Sequence, residues 1–168
     1  KMTKGNYKDG KEHGTKIGYY DDGKIRLKMN LGGKIGSVIR YYHNGKIEEK
    51  FNYRYGEMHG PYVLYYENGK IEKKGNYKDA VEHGKWIWYH KNGKIYQKKN
   101  YGDRFDLFIR YHENGKIAEK GYYEDGEEYG TWIQYYENGK IWEKKNYKDR
   151  TWIQYNKNGK IKGNGYLW

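Results

Sequence analysis

Cysteine is absent, so the chain can build neither a disulfide framework nor a thiolate metal site. Serine occurs once, as Ser37, in a short loop without a nucleophile signature, and the common hydrolase triads therefore lack their central residue. Alanine, the best helix former, appears only as Ala80 and Ala118, and leucine only at 27, 31, 64, 107 and 167. Helices have little to be made from. No apolar run approaches the ~20 residues of a membrane-spanning helix, and no leader pattern is visible; a secreted or surface location would require a leader already removed, and the compartment stays open. Apolar residues reach only 35%, below the ~45–50% of ordinary globular chains, which implies a thin core.

What is present is aromatic and charged. The 168 residues include 23 Tyr and 6 Trp, large rings whose polar tips tolerate partial exposure. Ile, Tyr, Trp and Gly form a strand-and-turn vocabulary. Lys and Arg number 34 against 22 Asp and Glu, a net charge of +12 that fits an anionic partner, although acidic residues interleave with basic ones all along the chain.

The strongest feature is a repeated tetrad, Asp/Asn-Gly-Lys-Ile, whose glycine falls at 23, 45, 69, 93, 115, 139 and 159, spaced by 22, 24, 24, 22, 24 and 20 residues. Asn-Gly between apolar segments is the leading short-range hairpin signal. Between tetrads lies a looser turn, as in KDGKEHG (8–14), RYGEMHG (54–60), KDAVEHG (78–84) and EDGEEYG (124–130). The residue entering this loop and the aliphatic residue after it are 10 apart for Tyr53 and Val63, 8 for Tyr101 and Ile109, and 6 for Tyr147 and Ile153. All differences are even, so every copy keeps the same facing. The pattern predicts an all-β, elongated single-layer antiparallel meander of about fourteen short strands, one repeat domain over 1–168, stepping ~10 Å per repeat.

If the tetrad loop has three residues with the left-handed conformation on Gly, two series fall together as a structural spine. The first runs Ile17/Tyr19, Ile39/Tyr41, Val63/Tyr65 and onward, and the second is Leu31, Tyr53, Tyr77, Tyr101, Tyr123, Tyr147. A two-residue turn would split them, and positive φ at Asn68 would reveal it. The opposite face then carries residues that change from copy to copy. Repeat scaffolds keep what stacking needs and vary what a partner reads, so this face is the expected partner-binding surface. It comprises Tyr42, Tyr62, Tyr66, Trp86, Trp88, His90, Trp132, Tyr136, Trp142 and Trp152, with Lys50, Lys74, Lys98, Lys120 and Lys144 beside them. Solubility alone would account for the lysines and asparagines, but not for the tryptophans, which concentrate at interface hot spots.

GKWIWYHKNGKIYQKKNY (84–101) and GTWIQYYENGKIWEKKNY (130–147) resemble the MORN repeat in its bacterial variant, in about seven units covering essentially the whole chain. The resemblance implies stacked hairpins in one sheet and a non-enzymatic scaffold or protein-interaction module, with some similar bacterial proteins labelled antitoxins or found on secreted and surface proteins. It transfers no catalytic residue and no cofactor. Lys or Glu stands here where the wider family has further Gly.

His13, His59 and His83 precede Gly in equivalent loops. Equivalent atoms of adjacent repeats lie ~10 Å apart, whereas zinc needs ligands ~2 Å from one centre, so these are expected to be loop residues. Asp9, Asp79, Asp125 and Asp149 are expected to serve turns. The expected partner is therefore an acidic or aromatic-compatible protein surface. Anionic lipid, nucleic acid or carbohydrate is the alternative, and edge-to-edge self-association a further expectation from open sheet edges.

Overall fold

The computed structural model describes residues 6–8 and 10–168; Asp9 lies outside them. Contacts divide the chain within one strand, after His83, with residues 91–93 grouped with the first unit. The first unit contains β1 (Asn6–Lys8), β2 (Lys11–Tyr19), β3 (Ile25–Gly32), β4 (Ile35–Tyr41), β5 (Ile47–Arg54), β6 (Glu57–Tyr65), β7 (Ile71–Lys78) and the start of β8 (Val81–Tyr89). The second contains the rest of β8, then β9 (Ile95–Tyr101), β10 (Phe105–Tyr111), β11 (Ile117–Glu124), β12 (Glu127–Tyr135), β13 (Ile141–Asn146), β14 (Thr151–Tyr155) and β15 (Ile161–Tyr166). In each unit strands pair antiparallel in chain order, as the repeat spacing predicts, and no helix occurs among the described residues.

Two turn types alternate. At the tetrad, Gly69 N–H donates to Tyr66 O (2.8 Å) and Tyr66 N–H to Lys70 O (2.9 Å), closing a three-residue loop. The left-handed conformation falls on Gly69, with φ 89°, and Asn68 is not among the non-glycine residues with positive φ. The expected three-residue loop is therefore the one that forms. The second turn is tighter: Tyr55 and Gly56 (φ 53° and 89°), Asp79 and Ala80 (50° and 66°), and Asp125 and Gly126 (50° and 91°) both turn left-handed, as a two-residue type I′ hairpin requires.

The register then corrects the assignment of faces. Tyr65 opposes Ile71, yet Leu64 opposes Lys73, so Glu72 has no cross-strand partner and forms a β-bulge. The same irregularity follows the tetrad isoleucine at Arg26, Glu48, Trp142 and Lys162, and at Tyr96 and Ala118. One extra residue reverses the facing of everything after it. Lys74 consequently opposes Val63, and Tyr77 opposes Gly60.

Tyr53, Tyr77, Tyr101, Tyr123 and Tyr147 thus share a face with the tryptophans and not with the isoleucine ladder, against expectation. The lysine series crosses to the other side: Lys28 pairs Ile17 and Ile39, Lys50 pairs Val63, Lys98 pairs Ile87 and Lys144 pairs Ile133. The best-buried apolar side chains, Val38, Tyr62, Trp86 and Trp132, all lie on the tryptophan face, which is therefore the core side of the sheet. Large rings there sit over glycine: a methyl added to Gly121 would overlap the Trp132 ring, and Tyr62 opposes Gly75.

Candidate functional site

The residues expected to form one binding surface separate into three places. Tyr62, Trp86, Trp88, Trp132 and Trp152 belong to the tryptophan face. Trp86 is 0% exposed, with its ring 6.0 Å from that of Trp88. Trp132 packs on Phe108 (5.4 Å) and Tyr123 (5.0 Å) and donates its indole N–H to Tyr122 O at 3.0 Å. Trp142 is the bulge residue of β13 and is 40% exposed.

Tyr42, Tyr66, His90 and Tyr136 stand just before the tetrad turns, where they serve stacking. The Tyr42 hydroxyl donates to Tyr65 O, and Tyr136 to Tyr155 O at 2.9 Å; His112 reaches Tyr135 O at 2.9 Å. The His90 ring meets Tyr96 edge-on at 5.1 Å, and Tyr66 closes its own turn through its backbone. The tetrad itself extends this ladder. Asn68 Oδ1 accepts from Lys70 N–H at 2.9 Å, its Nδ2 donates to Lys91 O at 3.0 Å, and Lys70 Nζ donates to Asn92 O at 2.8 Å. Asn114 and Lys116 repeat all three bonds. The recurrence of Asn-Gly-Lys thus follows from each turn bonding its own backbone and that of the next hairpin.

Lys28, Lys50 and Lys74 in the first unit, and Lys98, Lys120 and Lys144 in the second, lie on the isoleucine side of their strands. Four of these ammonium groups stand over tyrosine rings: Lys28 on Tyr41 (5.6 Å), Lys50 on Tyr65 (5.9 Å), Lys98 on Tyr111 (5.2 Å) and Lys120 on Tyr135 (5.9 Å). Each contact is worth about 0.5–1 kcal/mol at an exposed site and fixes where the charge sits. Register assigns this face, among the described strands, only Glu57, Glu124 and Glu127 as carboxylates, all beside the type I′ turns. Between the turns the face is chiefly isoleucine, tyrosine, lysine and asparagine, with Ser37, Pro61, Val63, Leu107, Thr131 and Thr151 among them.

Glutamates on the tryptophan face are instead paired internally, while Lys99 there stands over the Tyr101 and Tyr123 rings, 4.6 Å from each. Glu49 takes Arg40 Nη1 and the Tyr62 hydroxyl, each at 2.8 Å. Glu119 takes Arg110 Nη2 (2.9 Å) and Gln134 Nε2 (2.7 Å), and Glu143 takes Gln154 Nε2 (2.8 Å) and Lys145 Nζ (3.2 Å). Sequence reading missed these networks. Their signal was available in the glutamate two residues after the tetrad isoleucine, facing Arg or Gln across the strand.

At the loops, His59 Nδ1 lies 3.2 Å from Asp79 Oδ1, and Arg54 Nη2 2.9 Å from the same oxygen. The Arg54 hydrogen bond holds the Asp79 carboxyl below its ordinary range. Among the described residues no three His, Asp or Glu groups gather as a metal site.

Burial pushes several hydroxyls above their ordinary 10.0, Tyr62 most firmly, through desolvation and then its bond to Glu49. Tyr53, Tyr77 and Tyr123 shift the same way, also by burial. A tyrosine with a raised folded value loses its proton first in the unfolded chain. Stability is therefore intact below about pH 10 and falls as pH rises further. Thermal melts should be level from about pH 7 to 9 and drop steeply above about 10, and Tyr62→Phe should shallow that drop. A melting temperature unchanged well above pH 10 would contradict the burial of these hydroxyls.

These features define a β-hairpin repeat protein with one packed aromatic face and one basic, isoleucine- and tyrosine-lined face. The sequence pattern described as MORN repeat variant matches residues 12–31, 34–55, 58–79, 82–103, 107–125 and 128–149, and the chain belongs to that family. Six consecutive repeats are matched, and the seventh tetrad, at Gly159, lies beyond them. Such repeats generally act as protein- or membrane-interaction modules. No curated protein matches the chain.

Proposed function

We propose that this chain is a non-enzymatic protein-binding module and that its lysine face receives an acidic protein surface. The observation that supports this most is the sorting of charge. On the tryptophan face Arg40, Arg110 and Lys145 are tied to buried or half-buried glutamates, although Lys73 and Lys99 there also stand over tyrosine rings. Lys50, Lys98 and Lys120 of the other face stand over such rings and oppose only Ile or Val across the strands. A cation held over a ring keeps its charge outward at a fixed place, and the flanking Ile and Tyr side chains supply apolar area that a carboxylate-rimmed partner would cover. Lys50, Lys74, Lys98, Lys120 and Lys144 remain in the proposed surface, with Tyr65, Tyr111 and Tyr135 added. The packed Trp86 and Trp132 leave it. An acidic toxin or an acidic host surface protein would present the required chemistry.

The test reverses three charges, Lys98→Glu, Lys120→Glu and Lys144→Glu, and compares cross-linked partners by mass spectrometry in extracts of the source cells. Loss of a specific protein cross-link, with melting lowered by only a few degrees, is the expected result, since the two exposed cation–π contacts of Lys98 and Lys120 are worth about 1–2 kcal/mol together. Capture of nucleic acid or acidic vesicles alone, with affinity collapsing between about 50 and 200 mM salt, would replace this reading with the anionic-polymer one.

A further inference from the structure

We propose that the first unit also carries a ligand site on its tryptophan face, for an amphiphile with one anionic head and an unbranched apolar tail, a long-chain carboxylate. This site is independent of the lysine face. Here the strands enclose a groove of about 680 Å3, within the ~300–1,000 Å3 of small-molecule sites.

The walls follow from register. Leu27, Met29 and Leu31 alternate along β3, Val38 and Arg40 stand on β4, and Phe51 and Tyr53 on β5, with Met58 on β6. Arg40 is the single charged residue of the lining, and it sits at one end, opposite Leu27. The other end closes at the turn glycines Gly33 and Gly56, beside Leu31 and Met58. The Tyr53 hydroxyl there already donates to Asn30 O at 3.3 Å, which leaves that end apolar in function. The Arg40–Glu49 pair at one end, with guanidinium donors left over, and the apolar path behind it fit a carboxylate with a hydrocarbon tail. Arg40 is suited to the head: its side chain is 54% exposed, and a guanidinium has five N–H donors, of which Nη1 serves Glu49. Glu49 and the Phe51 ring, 5.7 Å from the guanidinium, hold it over the groove. The two methionines adapt to a flexible chain at little cost.

The equivalent positions elsewhere explain why the groove lies here. The residue before the strand isoleucine is Val38 in this repeat, but Trp86, Phe108, Trp132 and Trp152 in later ones, and those rings fill their own side of the sheet. Trp132 lies over Gly121, where the corresponding neighbour of Val38 is Met29. In β4 the side chain is too small to close the same space, whereas Tyr62 of β6 fills its own.

That comparison also supplies the test. Calorimetric titration with sodium dodecanoate, below its micelle concentration, and with dodecanol as the uncharged control, is run on the full chain and two variants. Arg40→Gln copies the Gln134–Glu119 and Gln154–Glu143 pairs, so the fold retains a partner for Glu49. Met29→Gly with Val38→Trp copies Gly121 and Trp132 and fills the groove. Dodecanoate should bind the wild type, lose about tenfold or more in affinity on Arg40→Gln while dodecanol is unaffected, and bind no longer to the filled variant. Wild-type protein that takes up no dodecanoate would overturn the proposal, as would Arg40→Gln binding it unchanged. An acidic amphipathic peptide that seats in the groove and resists displacement by dodecanoate would also overturn it, in favour of a protein occupant.

Discussion

Trp86→Ala should lower the unfolding free energy by about 3–5 kcal/mol, the usual cost of emptying a buried tryptophan site. Trp86 is fully enclosed, and its loss leaves Trp88 without its stacking partner. Neighbours in a single-layer sheet can settle into the gap from one side only, so collapse relieves the cavity incompletely. Trp142→Ala is the matched control. That ring stands on the β13 bulge, 40% exposed, and its removal should change stability by no more than about 1 kcal/mol. Guanidinium unfolding followed by circular dichroism would measure both. Near-equal effects would mean that the packed and bulged tryptophans are not energetically distinct. Because stability in a repeat array is carried locally, amide exchange should show the Trp86 loss concentrated in β8 and β9.

The second large effect comes from inserting one residue beside a bulge. Deleting Glu72 would leave Lys73 opposite Leu64 and every later pair as it is, but an alanine inserted after Glu72, with one residue still bulged, would turn Lys74 and Asn76 toward Tyr62 and Lys73, Gly75 and Tyr77 away. Burying an ammonium against an aromatic core without a carboxylate in place costs several kcal/mol, and the Tyr62–Tyr77 contact at 5.4 Å is lost as well. The expected loss exceeds about 4 kcal/mol, enough to unpair β7 from β6. Glu72→Ala keeps the residue count and should change stability by about 0.5 kcal/mol or less. Protection of the β6 and β7 amides against exchange separates the two outcomes. An insertion variant as stable as Glu72→Ala would refute the role given to the bulge.

The turns were legible because their determinants are local. Gly69 takes φ 89° at no steric cost, Asn68 caps the loop with its own side chain, and both facts can be read from four adjacent residues. The bulges were not. Their seven residues, Arg26, Glu48, Glu72, Tyr96, Ala118, Trp142 and Lys162, share no size, charge or conformational preference. The nearest signal was size complementarity. Gly75, Gly121 and Gly165 accept Tyr62, Trp132 and Trp152 only if the facing reverses after each tetrad isoleucine.

For the candidate site the consequence was direct. Lys50, Lys74, Lys98, Lys120 and Lys144 were legible as a repeated series, because their spacing from the turn is constant. They were joined to tryptophans that the register puts on the opposite side. The groove at Met29, Val38 and Met58 had no sequence signature, since a cavity depends on what three neighbouring strands fail to fill.

By itself, then, the amino-acid order determined the repeat, the hairpins, the tetrad turn and the all-β class, since each rests on backbone preferences within a few residues. Tertiary structure decided which side chains share a face, where the core lies and where a groove opens. Pairing between strands settles whether a residue is counted in the ladder or left out as a bulge, and one uncounted residue exchanges the two sides of the sheet.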